Sequence, residues 1–148
     1  MQINCGYLSK YILKNKTLKV IVSKADKGVS GHLPEVDGFV ITCDSVEKLK
    51  RDLPSGILFH IEGLYEEERV KWMNEPYDFE YVFQNISILL EGYSGLINQN
   101  SLARISGINE SLMRQYVAGI KKPSRKVTER IESGLKKYAE ELRNISFA

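Results

Sequence analysis

The chain has no apolar run approaching the ~20 residues that a membrane-spanning helix requires. Its opening stretch, MQINCGYLSKYILKNK, lacks an apolar signal core and a small-residue cleavage site. A membrane or exported protein is therefore not expected, and a cytoplasmic one is. Cysteine is scarce: Cys5 and Cys43 stand alone, without CxxC spacing or a neighbouring histidine, which argues for free thiols rather than a zinc site or a disulfide. Histidine is equally scarce. His32 and His60 belong to no H-E-x-x-H pattern and are assigned structural roles, so no metal and no cofactor is expected. A large excess of one charge is also missing, the net charge being +2. With 43% apolar and 27% charged residues in 148, the chain falls in the ordinary globular class, long enough for two small domains.

Near-neutrality hides an asymmetry. Residues 1–84 carry 11 Lys and Arg against 13 Asp and Glu, whereas residues 85–148 carry 10 against 6. A basic half joined to a slightly acidic one is the distribution of a nucleic-acid module attached to a protein-binding module.

The basic half holds the most informative stretch, NQNSLARISGINESLMRQYVAGIKKPS, from Asn98 to Ser124. Counting from Gln99, the residues Leu102, Ala103, Ser106, Ile108, Met113 and Tyr116 fall where two crossing helices face each other. Gly107 falls at the turn, where a positive φ costs glycine nothing. Asn109 offers its side-chain oxygen to the unpaired N–H groups of the second helix. Asn109, Glu110, Ser111, Arg114 and Gln115 then lie where they would reach base edges, with Gln99 and Ser101 added from the first helix. Lys121, Lys122, Arg125 and Lys126, around Pro123 and Ser124, suit phosphate contacts.

This segment resembles the Cro and phage-repressor (XRE-type) helix-turn-helix class, whose pattern is matched by Gln99, Leu102, Ala103, Gly107, Asn109, Gly119, Pro123 and Ser124. The resemblance implies base reading by Glu110, Ser111, Arg114 and Gln115. Two residues depart from the pattern. Glu110 places a negative charge where a neutral amide is commoner, and Leu112 places an apolar side chain where the position is usually wet, so Leu112 is expected to pack on another part of the protein.

In the N-terminal half, Thr17 to Ala25 alternates and is rich in β-branched residues, and Asp26-Lys27-Gly28 leads into VSGHLPEV, a hairpin pattern. Asp37-Gly38 precedes FVITC, a third strand. From Ser45 a helical stripe runs through Val46, Leu49, Leu53, Ile57, Ile61 and Leu64, with Pro54 expected to kink or divide it, and the charged stretch Tyr65–Arg69 ends it. Tyr77 to Phe83 alternates aromatic with polar residues, a fourth strand. That aromatic row fits a core face better than a base-stacking platform, because Asp78 and Glu80 would oppose phosphates. Asn85 caps a further helix, and a last helix after Ser124 continues toward Asn144. Its stripe Val127, Ile131, Leu135, Tyr138 and Leu142 is longer than a small domain can cover, so its distal end is expected to meet a second subunit.

The reading is thus α+β: a β-β-β-α-β domain over 1–84, with 1–16 as an extension of no assigned role, and an all-α helix-turn-helix domain over 85–148. Together they resemble HicB-family antitoxins of toxin-antitoxin operons, on Asp26, Gly28, Pro34, Gly38, Ser45 and Glu47 in the order strand, turn, strand, turn, strand, capped helix. The resemblance implies a degenerate RNase H-like N-terminal fold that covers a HicA-type ribonuclease toxin. It also implies a C-terminal domain that represses the operon by binding double-stranded operator DNA; because one short recognition helix reads too few bases, a homodimer or higher homo-oligomer is expected. A non-enzyme follows; Asp26, Glu35, Asp37 and Asp44 sit mostly in turn signals, where Asp is expected for backbone reasons. The alternative is a stand-alone XRE-type transcriptional regulator whose N-terminal domain binds a ligand or dimerises. An enzyme with a regulatory DNA module is a third.

Overall fold

The computed structural model describes residues 15–148, so Cys5 and most of the N-terminal extension lie outside the described residues. The architecture is α+β, a four-stranded sheet with five helices. β1 (Lys16–Lys24), β2 (Val29–His32) and β3 (Val40–Cys43) form an antiparallel meander, and α1 (Val46–Gly63) carries the chain across to β4 (Tyr77–Phe83), which pairs parallel with β1. The order is β3-β2-β1-β4. Two hairpin steps leave β3 parallel to β1, so a helical crossover delivers a parallel neighbour, as such connections do.

Period-two alternation fixes the faces. Leu18, Val20 and Val22 of β1 are fully buried, and their register partners Phe79, Tyr81 and Phe83 point to the same side. Leu49, Leu53 and Ile57 of α1, at spacings of four, close over them. The second strand is shorter than the VSGHLPEV pattern suggests. It stops at His32 because Pro34 has no N–H to extend the ladder, and Leu33 and Val36 bury themselves from the loop instead.

Ser45 caps α1, its Oγ accepting from Lys48 N at 3.1 Å. Of the kink or division expected at Pro54, the division does not occur: α1 runs unbroken through it. Pro54 lies on the exposed side, where water reaches the carbonyl it leaves unpaired, while Leu53 and Ile57 hold the buried side in place. Arg69 secures the C-terminal end by donating to the carbonyls of Glu62 at 3.0 Å and Leu64 at 3.2 Å. Two 3-10 turns, Glu66–Glu68 and Lys71–Asn74, lead to β4 and were not legible in the sequence.

After β4 come α2 (Ile86–Gly92), α3 (Gln99–Ser106), α4 (Glu110–Val117) and α5 (Arg125–Arg143). A second core of Ile86, Leu102, Ala103, Ile108, Met113 and Ile131 holds them. α2 belongs to both cores: Ile88 is 1% exposed in the first, while Ile86 faces the second. Lys24 reaches Glu91 at 2.9 Å, and the Lys50 ammonium lies 4.3 Å from the Tyr93 ring and 4.7 Å from that of Tyr81.

His60 does structural work. Its Nε2 donates to the Asp37 carbonyl at 3.0 Å, and its ring stands edge-on to Phe39 at 5.4 Å. Cys43 is a buried free thiol, and burial, then the nearby Asp52 carboxylate, pushes its pKa up. No helix among the described residues is long and apolar enough to cross a membrane.

Leu53, with no exposed surface, is the central test of the first core. Leu53→Ala should cost about 2–5 kcal/mol in urea denaturation. A loss below about 1 kcal/mol would mean that α1 does not seal the sheet.

Candidate nucleic-acid interface

α3 and α4 are eight-residue helices joined by a three-residue turn, Gly107 to Asn109. Local chemistry sets both ends of that joint. Gly107 has φ +62°, the left-handed region in which a Cβ would clash, and its N–H closes α3 onto the Arg104 carbonyl at 3.2 Å. Asn109 caps α4, its Oδ1 accepting from Ser111 N at 2.9 Å and Leu112 N at 3.4 Å. Ile108, between them, is buried and pins the turn to the core.

The residues expected to face between the helices do so. Leu102, Ala103, Ser106, Ile108 and Met113 are buried, and Tyr116 is partly so. Leu112, partly buried, packs on this same core. That leaves one polar side on α4. Glu110, Ser111 and Arg114 are exposed, and Gln115 is half-buried beside them. Ser111, Arg114 and Gln115, at offsets of three and four, share one helical face.

The basic loop lies between α4 and α5. Gly119 ends α4, and the Gln115 carbonyl accepts from both Ile120 N at 2.9 Å and Lys121 N at 3.2 Å, which fixes where the loop departs. Lys121, Lys122, Arg125 and Lys126 are all exposed. Arg125 pairs with Glu129 at 2.9 Å; an exposed pair of this kind is held by little energy and yields readily to a phosphate. Ser124 begins α5 without a side-chain capping bond.

At the start of α3 the roles differ from a simple contact list. Ser101 is engaged in a capping box: its Oγ accepts from Asn98 N at 3.0 Å, and Asn98 Oδ1 accepts from Ser101 N at 2.9 Å. The N-x-x-S spacing carried that signal. Gln99, the first helical residue, is half-buried. Arg130 carried no such signal; its guanidinium, brought from α5, donates to the Gly107 carbonyl and holds the turn from outside the segment.

The four turn carboxylates are not gathered into a centre. Among the described residues no three His, Cys, Asp or Glu side chains come together in a metal-holding group.

No protein-family model matches the chain, and no curated protein or solved structure is similar to it.

The Asn109 cap is separable from any groove contact. Asn109→Ala should destabilise the protein by about 0.5–2 kcal/mol, and Asn109→Ser should recover most of the loss, because a serine oxygen also caps. Equal melting temperatures for Asn109→Ala and the wild type would show that this oxygen does not hold the second helix.

Proposed function

We propose that the chain is an antitoxin of the HicB kind. Its C-terminal half is an XRE-type helix-turn-helix that represses its own operon, and its N-terminal half neutralises a HicA-type ribonuclease toxin in the cytoplasm. The observation that carries the DNA half is the exposed polar side of α4, Ser111 and Arg114 with Glu110 beside them, followed in the chain by four exposed cations, Lys121 and Lys122 on the loop and Arg125 and Lys126 at the start of α5. Groove reading requires this division of labour: short-range donors and acceptors aimed at base edges, flanked by charges for phosphate. Glu110 would accept from a cytosine N4 amine.

The N-terminal part of the reading is supported by topology. A three-stranded antiparallel meander, a helical crossover and a fourth strand parallel to the first are the elements that a degenerate RNase H-like core would need. The chain would act there by covering another protein's active site, not through chemistry of its own. Against this stands the stand-alone regulator, which shares every DNA-contacting residue and differs only in what the N-terminal half binds.

Dimerisation completes the account. One eight-residue recognition helix reads too few bases for selective binding, so two copies would occupy two half-sites about one helical turn, or a multiple of it, apart. The distal part of α5 provides a surface, with Tyr138 and Leu142 about half exposed beyond the end of the second core. Tyr138→Glu combined with Leu142→Glu should shift the chain to monomer in light scattering and shorten its footprint to one half-site. An unchanged dimer would place the contact elsewhere.

The DNA half is tested by Arg114→Ala in a gel-shift assay on the DNA upstream of the chain's own reading frame. Loss of a base contact should weaken binding by about 1–3 kcal/mol. Unchanged affinity would remove the base-reading role of α4.

A further inference from the structure

β4 is an edge strand. β1 occupies one side of it, and among the described residues nothing pairs with the other, which leaves a row of backbone donors and acceptors over seven residues. Its two faces differ sharply. On the inner face Tyr77, Phe79, Tyr81 and Phe83 are each only half-buried: α1 lies over β2 and β3, and β4 is met by Trp72 at Tyr77, by the Lys50 ammonium at Tyr81 and by Tyr93 at Phe83. The rings touch in sequence, Trp72 to Tyr77 at 5.9 Å, Tyr77 to Phe79 at 5.6 Å and Phe79 to Tyr81 at 6.3 Å. On the outer face Asp78 and Glu80 are exposed, and no ion pair among the described residues engages either. The segment 65–84 as a whole holds six carboxylates against two cations.

We propose that the free edge of β4 is the docking edge for a basic β-strand of the partner protein, a strand with apolar side chains on one face and Lys or Arg on the other. The added strand takes the open backbone groups. Its apolar face completes the cover over Phe79 and Tyr81, and its cations meet Asp78 and Glu80 as cross-strand neighbours. This rests on the antitoxin reading and gives the toxin a place on it. A ribonuclease binds phosphate and so carries basic surface, which is the complementary charge.

A second copy of this chain fits the edge poorly. Symmetric antiparallel registers centred on Phe79 or Glu80 set Asp78 opposite Glu80 of the other copy, or Glu80 opposite itself, and like charges directly opposed are destabilising. The same carboxylates protect the edge from self-pairing.

The test uses the full chain and, as probe, the purified product of the small reading frame adjacent to its own. Hydrogen exchange should slow at those amides of Tyr77–Phe83 that face away from β1 when the probe is added, and Asp78→Lys combined with Glu80→Lys should raise Kd about tenfold or more. Both changed side chains are exposed, so the fold is kept, and the exchange measurement on the wild type stands independently of the variant. If the wild type binds but these amides exchange at an unchanged rate, the edge is not the docking site, while the antitoxin reading survives. If the wild type does not bind the probe at all, the antitoxin reading itself falls. If the amides are already protected without the probe, and lose protection on dilution or on deletion of residues 1–14, the edge belongs to a second copy or to the chain's own N-terminus, and the proposal is overturned.

Discussion

The structure turns on a seven-residue helix buried on two sides. α2 places Ile88 in the core beneath the sheet and Ile86 in the core of the helical half, with only Gln84 and Asn85 between it and β4. Gln84 N continues the sheet ladder by donating to the Val22 carbonyl at 3.0 Å, and Asn85 caps α2 by accepting from Ile88 N at 3.0 Å. No slack remains. Around this helix Phe83 meets Tyr93 edge-on at 6.2 Å, and Lys50 is shared between the rings of Tyr81 and Tyr93. The halves are therefore mounted on one another, and the position of the polar side of α4 is set partly by the sheet.

That mounting bears on the proposed regulation. The aromatic row of β4 runs from the free edge, through Tyr81, to the Lys50 and Tyr93 contact against α2. Tyr81, on the face that an added strand would extend, is one of the two rings that hold Lys50. Occupancy of the N-terminal half and the seating of the DNA-binding half thus share a physical element, which is the minimum that coupling between two sites requires.

Much of this was legible in the residues, for identifiable reasons. β1, β4 and the caps at Ser45, Asn85 and Asn109 followed from period-two alternation and short polar side chains placed before apolar stripes. The tight turn at Gly107 was legible because few residues accept its φ. Whether Pro54 would divide α1 was not legible, since the cost of proline depends on which side of the helix loses its bond, and sequence periodicity does not reveal how firmly Leu53 and Ile57 are held. The 3-10 turns between Glu66 and Asn74 carry no period long enough to read. Leu112 was expected to pack on another part of the protein because the pattern treats its position as solvent, and its partner is the second core, which the local pattern does not name. The clamp of Arg130 on Gly107 joins positions 23 residues apart, and no local spacing announces it.

The central claim is that the polar side of α4 and the cations of the loop and of the start of α5 form a sequence-reading DNA surface, and the most direct measurement is equilibrium binding across a salt series. Fluorescence anisotropy would compare DNA from upstream of the chain's own reading frame with a shuffled duplex of the same length. The account predicts upstream affinity at least about a thousandfold above shuffled, with log K falling linearly against log salt by about 0.9 per phosphate neutralised, four or more per copy from Lys121, Lys122, Arg125 and Lys126. Equal affinity for the two duplexes, or affinity indifferent to salt, would contradict it.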